Sequence, residues 1–116
     1  MPYSVQARKL HRVRSQRRAL VRIMASNLIL KSRIKTTEAK AKTVKPFVER
    51  LVTVAKKGTL DSNRRLASFL PKEAVKVMMT KIGPEYKDRK GGYTRIIKIG
   101  PRVSDNSRMV FLEFVK

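Results

Sequence analysis

Side chains that could act as a catalytic acid, base or nucleophile are rare in this sequence. His11 is the only histidine, and it stands beside Arg12 in a strongly basic stretch. A catalytic histidine needs an orienting partner and a nucleophile within reach. Because the sequence indicates neither, we interpret His11 as a surface or RNA-contacting imidazole. The chain has no cysteine, which excludes a disulfide framework, a thiol nucleophile and every cysteine-containing zinc site.

The eight acidic residues are scattered along the chain. The nearest two, Glu85 and Asp88, lie among Lys87, Arg89 and Lys90, and local charge balance accounts for them. A two-metal nuclease needs carboxylates that converge on metal ions about 4 Å apart. Their spacing does not indicate such a cluster, so the sequence predicts no catalytic residue, no metal site and no cofactor.

A glycine pair offers a different chemistry, the close approach of backbone amides to a phosphate. Gly91 and Gly92 lack the spacing of a P-loop, but glycines permit both positive φ and close approach. Arg89, Tyr93 and Arg95 flank them. A tyrosine between arginines can stack on a base or ribose while the guanidinium groups hold phosphates. The alternative is a tight turn into a strand, with Tyr93 packed in the core, and the two interpretations are compatible.

Basic residues dominate the charge of the chain. There are 29 Lys and Arg against eight Asp and Glu, a formal net charge of +21. Hydrophobic residues make up 41% of the 116 positions, too many for a disordered tail, so a single folded domain is expected. Such a charge surplus opposes compaction unless a polyanion neutralises it, and nucleic acid is the polyanion that we favour.

The first 37 residues hold ten of the basic residues and no acid, so they form the densest expected contact. That composition also fits an organellar transit peptide. The longest uncharged runs, such as residues 23–30, fall far short of the roughly 18 apolar residues of a membrane span. The sequence therefore predicts no membrane partner. Because it also indicates no catalytic residue, it predicts no small-molecule substrate.

The chain lacks the signatures that read base sequence. It has no RRM aromatic signature, no KH Gly-x-x-Gly loop and no zinc finger. Recognition is therefore expected through phosphates and nucleic-acid shape, contacts that position a protein without reading sequence.

Residues 8–30 have the apolar period of one long helix, with leucine and methionine on one side and arginine on the other. Arg17 interrupts the apolar stripe. It either extends its head past the edge of the core or points into a partner where the core ends.

Residues 33–36 are predicted to be extended, and Thr36 or Thr37 can cap a second helix that runs to Gly58. Pro46 lies inside that helix and is expected to kink it or split it in two.

A third helix is predicted to begin at a cap on Asp61 or Ser62 and to end at Pro71. Pro71 also suits the first turn of a fourth helix, which Gly83 is expected to stop.

The last third of the chain changes to the pattern of strands. Residues 93–99 and 109–115 are rich in β-branched and aromatic side chains, and a polar loop, 100–108, separates them. The predicted fold is α+β in the order α-β-α-α-α-β-β, with the helices packed against a small three-stranded mixed sheet.

Several motifs, taken together, resemble the bacterial-type large-subunit ribosomal protein seventeen family. In chain order they are Arg8-Lys9-Leu10-His11-Arg12, Ile34-Lys35-Thr36-Thr37, Ala55-Lys56-Lys57-Gly58, Arg89-x-Gly91-Gly92-Tyr93-Thr94-Arg95-Ile96, Asp105-Asn106 and Leu112-Glu113. They follow the order and approximate spacing of the family over residues 8–116.

The resemblance implies a structural protein that binds large-subunit rRNA beside neighbouring ribosomal proteins, near the polypeptide exit region, without enzymatic activity or a cofactor. It implies rRNA contacts at Arg8, Lys9, Arg12, Arg17, Arg22, Lys35, Thr36, Thr37, Lys40, Arg89, Gly91, Gly92, Tyr93, Thr94 and Arg95. The charge pattern adds Arg14, Arg18, Lys42, Arg64, Arg65, Lys98 and Arg102 as expected contacts. We expect the first helix, the start of the second helix, and the glycine turn with the hairpin loop to form three phosphate sites.

The N-terminus departs from the family pattern. The family usually begins Met-Arg-His, whereas this chain begins Met1-Pro2-Tyr3-Ser4. We therefore expect residues 1–7 to be an extension that is ordered only on RNA, and residues 8–116 to be a single rRNA-binding domain. The expected location is the ribosome of the bacterial cytoplasm, and the organellar matrix is the alternative.

Two other functions fit parts of the sequence. Residues 51–65 read as helix, turn, helix, with Arg64 and Arg65 placed where a DNA recognition helix would begin. A basic nuclease or RNA chaperone is the second alternative.

Overall fold

The structure is a computed structural model that describes residues 14–115. Its elements are α1 (Arg14–Lys31), β1 (Arg33–Thr37), α2 (Glu38–Lys56), α3 (Leu60–Ala67), α4 (Lys72–Val77), a π-helical segment (Met78–Ile82), α5 (Gly83–Glu85), β2 (Thr94–Pro101) and β3 (Arg108–Phe114). The predicted α+β class and order of elements are confirmed. The predicted start of the first helix at residue 8 and the extension 1–7 lie outside the described residues.

The first helix ends in a reversal that places β1 beside it. Met24, Ala25, Leu28 and Ile29 form the buried face of α1. Ser32 has a φ of +69°, and its amide donates to the Leu28 carbonyl at 2.6 Å. This left-handed residue turns the chain directly into β1.

Helix α2 is the central element of the core. Thr37 is its N-cap, and the Thr37 hydroxyl accepts a hydrogen bond from the Lys40 amide at 3.4 Å. Gly58, with a φ of +63°, follows the end of the helix as predicted. Of the two effects expected of Pro46, a split helix is wrong, because α2 continues for ten residues beyond it, and a kink stays a prediction. Tertiary packing of the buried face of α2 overrides the cost of the missing amide hydrogen.

Two boundaries among the later helices differ from those predicted. Thr59, rather than Asp61 or Ser62, caps α3, and its hydroxyl accepts from the Ser62 amide at 3.1 Å. Gly83 does not stop the fourth helix, because a π-helical segment carries the chain through it to Glu85. A β carbon on Gly83 would lie 2.8 Å from the Ala55 carbonyl oxygen, so this glycine allows close packing against α2.

The sheet has the order β1-β3-β2, and both of its pairings are antiparallel. The predicted mixed sheet is therefore wrong. Strands β1 and β2 do run in the same direction, but β3 lies between them and separates them. The predicted inward face of β3 is confirmed, since Val110 and Leu112 are buried.

The helices bury one face of this sheet and leave the other to solvent. α2 contacts all three strands, and α1 packs on β1. Ile34 and Ile96 flank Leu112 on the inner face, and Arg33 and Arg95 flank Glu113 on the outer face. Within residues 14–115, no helix is long and apolar enough to cross a membrane.

Candidate nucleic-acid interface

A basic groove lies between the second half of α1, strand β1 and the start of α2. Its volume is about 420 Å³. The lining residues are Leu20, Met24, Asn27, Lys31, Arg33, Ile34, Lys35, Thr36 and Lys40. Four of these nine residues are cationic and none carries a carboxylate, so we call this surface the basic groove. An apolar floor with cations at its rim suits a phosphate backbone, because lysine stems lie along apolar surface while their ammonium groups stay in water.

Local structure explains how three elements bring these cations together. The turn at Ser32 brings Lys31, in the last turn of α1, next to β1. Arg33 and Lys35 are two residues apart on the strand, so they share one face. The cap at Thr37 then begins α2 with Lys40 in its first turn.

Arg33 is held in place by its neighbours. Its Nε lies 3.2 Å from a Glu113 carboxylate oxygen, and its guanidinium carbon lies 3.5 Å from the centre of the Phe111 ring. About half of the Arg33 side chain is still exposed. Sequence reasoning named Lys35, Thr36 and Lys40 but missed Lys31 and Arg33. The alternation Lys31-x-Arg33-x-Lys35 was the available signal.

The N-terminus of α2 already has an anion of its own. Glu38 occupies its first turn, and Lys42 Nζ lies 3.7 Å from a Glu38 carboxylate oxygen. The Thr37 hydroxyl accepts the hydrogen bond of the Lys40 amide. The free amides and helix dipole expected to attract a phosphate here are therefore partly satisfied within the protein, which leaves Lys35 and Lys40 as the better candidates for a phosphate contact.

The arginines of α1 form a separate surface. Arg14, Arg18 and Arg22 are exposed and spaced four residues apart, so they follow one ridge of the helix. The Arg22 guanidinium carbon lies 5.6 Å from the centre of the Phe69 ring. Arg22 is about 200° around the helix from Met24, so this ridge faces away from the basic groove. Arg17 is half-buried, and Arg8, Lys9, His11 and Arg12 lie outside the described residues.

The glycine turn, residues 89–93, is closed by its own side chains. Arg89 Nε donates to the Gly91 and Gly92 carbonyls at 3.1 and 3.2 Å. Tyr93 is only 2% exposed, and its ring packs edge-on against Tyr86, with centroids 5.4 Å apart. The structure therefore favours the core interpretation of Tyr93 over base stacking.

Two residues after the turn also have internal partners. Thr94 is buried, and Arg95 donates from Nε and a terminal nitrogen to one Glu113 carboxylate oxygen, at 2.9 and 2.7 Å. Glu113 thus lies between Arg33 and Arg95 on the outer face of the sheet, an arrangement that depends on strand register.

In the hairpin loop, Arg102 forms two hydrogen bonds with the Asp105 carboxylate, at 2.9 and 2.7 Å. Together with the Ser107 amide, this guanidinium holds the pKa of Asp105 well below its usual range. Lys98 is exposed beside a depression that Glu38 and Arg108 also line. Arg102 is therefore partly neutralised within the protein.

Arg64 and Arg65 are exposed in the last turn of α3. A DNA recognition helix contacts bases through its N-terminal residues. The expectation that this helix begins with the two arginines is wrong, because Thr59 caps it five residues before Arg64. The helix-turn-helix interpretation loses the feature that suggested it.

Glu49 is a residue of this region that the sequence did not single out. One carboxylate oxygen of Glu49 accepts from the Thr94 amide at 2.8 Å and from the Thr94 hydroxyl at 2.6 Å. Burial raises the pKa of Glu49, but hydrogen bonds from Thr94 and Tyr93 and the nearby Lys45 outweigh it and hold the pKa below its ordinary value. Glu49 therefore joins α2 to the start of β2 as an ionised carboxylate.

Replacing Glu49 by glutamine is expected to remove a contribution to stability that depends on acid. With a lowered pKa in the folded state, the carboxylate stabilises the fold fully above its ordinary pKa of 4.5. That contribution is lost as the pH falls through the lower folded-state value. Urea unfolding at pH 7 and pH 3 should give a smaller pH difference in the free energy of unfolding for Glu49→Gln than for the parent. An equal difference in both proteins contradicts the assignment.

Within the described part of the chain, no group of three or more His, Asp or Glu side chains is placed to hold a metal ion.

Comparison with known proteins places this basic chain in a family. A family model described as "Ribosomal protein L17" matches residues 20–115. The chain is 46% identical over 113 residues to the large ribosomal subunit protein bL17 of Exiguobacterium sp., covering 92% of this chain and 97% of that protein. It is 45% identical over 118 residues to bL17 of Hydrogenobaculum sp., covering 100% of both. It is 47% identical over 116 residues to bL17 of Thermodesulfovibrio yellowstonii, covering 99% of this chain and 87% of that protein. These matches confirm the resemblance carried by the sequence motifs, and the chain belongs to the ribosomal protein L17 family.

Proposed function

We propose that the chain is a structural constituent of the bacterial large ribosomal subunit, where it binds and clamps large-subunit rRNA through phosphate and shape contacts. The L17 family is a structural component of the ribosome, so the prediction that the chain is not an enzyme is confirmed. The relatives named above are large-subunit proteins of bacteria, which supports the ribosome of the bacterial cytoplasm over an organelle.

The basic groove is the observation that carries this proposal. Three elements bring Lys31, Arg33, Lys35 and Lys40 around one depression without a carboxylate among its lining residues. Arg33 is paired with Glu113, but the other three like charges in one place oppose folding unless a partner neutralises them. A phosphate backbone supplies closely spaced negative charge, and its binding releases counterions.

The ridge of Arg14, Arg18 and Arg22 supplies a second surface on the other side of α1. Two basic surfaces that face apart can hold two rRNA segments against one helix, which is the sense in which the protein clamps RNA. The glycine turn, with Arg89 exposed, and the hairpin loop around Lys98 and Arg102 complete the proposed contacts.

The remaining parts of the proposal follow from family membership. The neighbours would be other large-subunit proteins, and the position would be near the polypeptide exit region, as the resemblance implies. DNA binding is disfavoured because Arg64 and Arg65 end α3 rather than begin it. A nuclease is disfavoured because the carboxylates of residues 14–115 do not cluster around a possible metal site.

Sedimentation of the tagged protein from its native cells tests this proposal. After a high-salt wash, the protein is expected to remain with the large subunit in a sucrose gradient, because an adsorbed basic protein is stripped by screening. A tagged, unrelated small domain of similar positive charge is the control, and the wash should remove it. Sedimentation as free protein or with chromatin contradicts the ribosomal role.

A further inference from the structure

One lysine of α2 contacts both ends of the glycine turn. Lys56 Nζ donates to the Arg89 carbonyl oxygen and, at 2.8 Å, to the Tyr93 hydroxyl. The Tyr93 hydroxyl in turn donates to the same Arg89 carbonyl at 3.2 Å. These three groups form a closed set of hydrogen bonds on the inner side of the turn.

Glu49 fixes the chain just beyond the turn from the same side of α2. It precedes Lys56 by seven residues, or about two helical turns, so the two side chains leave one face of the helix. Glu49 accepts from Thr94, and Lys56 donates to Arg89 and Tyr93. Lys56 therefore holds the turn at Arg89 and Tyr93, and Glu49 holds the chain just beyond it at Thr94.

The outer side of the turn is the part that a ligand can reach. Arg89, Lys90, Gly91 and Gly92 are exposed, whereas Tyr93 is buried. Gly92 has a φ of +64°, a conformation that a non-glycine residue rarely adopts. The fixed inner side thus holds an exposed basic surface in one conformation.

We propose that Lys56 is a positioning residue for rRNA binding, which holds the glycine turn in its binding conformation without contacting phosphate itself. This inference rests on the proposed function, because it takes the outer side of the turn as an rRNA contact. Lys56 has two neutral oxygen atoms as its hydrogen-bond acceptors, so its ammonium group is engaged inward. A turn that is ordered before binding avoids the entropy cost of ordering during binding.

The test compares Lys56→Met with Lys57→Met in the full-length protein. Both substitutions remove one charge at the end of α2, but Lys57 is exposed one residue further on. Binding to a large-subunit rRNA transcript is measured over a range of salt concentrations. We expect Lys56→Met to weaken binding about tenfold and Lys57→Met less than about threefold. Lys56→Arg, which keeps a charged donor, should recover most of the affinity.

The salt dependence separates positioning from direct contact. Log K falls with log salt, and each lost phosphate contact makes that slope less steep by about 0.7–0.9. A disordered turn still makes its contacts once bound, so we expect Lys56→Met to keep the parent slope. A reduced slope, or unchanged affinity, overturns the proposal.

Backbone relaxation of the RNA-free protein supplies a readout that does not depend on the proposed function. The amide order parameters of Gly91 and Gly92 are expected to fall from about 0.85 to below about 0.6 in Lys56→Met. Unchanged order parameters overturn the positioning role even if rRNA binds. Failure of the parent protein to bind rRNA refutes the proposed function instead. If Lys56→Met does not fold, Tyr93→Phe removes one partner of Lys56 and should lower the same order parameters; unchanged values there also overturn the proposal.

Discussion

Replacing Lys31, Lys35 and Lys40 together by methionine is expected to weaken binding to large-subunit rRNA by about a hundredfold at physiological salt. The three side chains line the basic groove from α1, β1 and α2. Methionine keeps an unbranched apolar stem over the floor of the groove while it removes the charge. A hundredfold loss corresponds to about 0.9 kcal/mol for each lysine, a modest value for a contact with a phosphate.

The salt dependence of binding should change together with the affinity. Three lost phosphate contacts make the negative slope of log K against log salt less steep by about 2 to 3. Arg33 is left in place in this variant because it also contacts Glu113 and Phe111. Its removal would disturb the sheet and mix an effect on folding with an effect on binding.

The matched control replaces Lys72, Lys76 and Lys81, which are exposed on α4 and the π-helical segment. This variant loses the same three charges outside the proposed contacts. We expect its affinity to fall only a few-fold, through the long-range field of the protein. Equal losses in the two triple variants would mean that net charge, rather than the basic groove, determines binding.

The groove shows what local sequence pattern cannot supply. The helix of α1, the extended β1 and the cap at Thr37 each follow from neighbouring residues, and all three were predicted in kind. The groove exists because Ser32 adopts a positive φ and brings Lys31 beside β1. A serine at that position gives no strong signal for a left-handed residue, so Lys31 and Arg33 were not recognised as part of a site.

The residue pairs across the sheet could not be predicted from the sequence either. Arg95 was expected to hold a phosphate, but the strand register places it beside Glu113, with Arg33 on the other side. Register depends on which side chains of distant strands become buried together. The alternation within β3 identified its inner face, but alternation cannot say which residues of β1 and β2 lie opposite. The same uncertainty allowed a mixed sheet to be predicted where both pairings are antiparallel.

Two glycines show most directly how far structure can be predicted from the local sequence. Gly58 was predicted to follow the end of α2, and its positive φ agrees. Gly83 was assigned the same role from the same residue type, but its φ is −54° and the helical chain continues through it. The requirement for glycine comes from Ala55, 28 residues earlier in the sequence. Only the packed structure distinguishes a glycine needed for its conformation from one needed for its lack of a side chain.

Gly83→Ala is therefore expected to destabilise the protein although it improves helix propensity. The new β carbon would lie 2.8 Å from the Ala55 carbonyl oxygen and 3.1 Å from the Met78 carbonyl oxygen. Both are backbone atoms in helical segments, so neither can move without shifting α2 or the π-helical segment. Overpacking of this kind costs about 1–3 kcal/mol, whereas alanine gains about 1 kcal/mol over glycine in a helix. We expect the clash to prevail, with a net loss of up to about 2 kcal/mol and a Tm lower by up to roughly 10 °C.

Gly91→Ala is the matched control because it makes the same chemical change in open space. No atom lies within 4 Å of a β carbon built on Gly91, and its φ is not positive. Its Tm should stay within about 2 °C of the parent value, since surface substitutions usually change stability by less than 0.5 kcal/mol. Thermal unfolding followed by circular dichroism compares the two variants. If Gly83→Ala raised the Tm, helix propensity would outweigh the contact with Ala55, and Gly83 would not be required for packing. A lower Tm for Gly83→Ala alone shows that the close approach to α2 is what excludes a side chain there. Because α2 also carries Glu49 and Lys56, loosening this contact should further lower the protection of the Gly91 and Gly92 amides from hydrogen exchange.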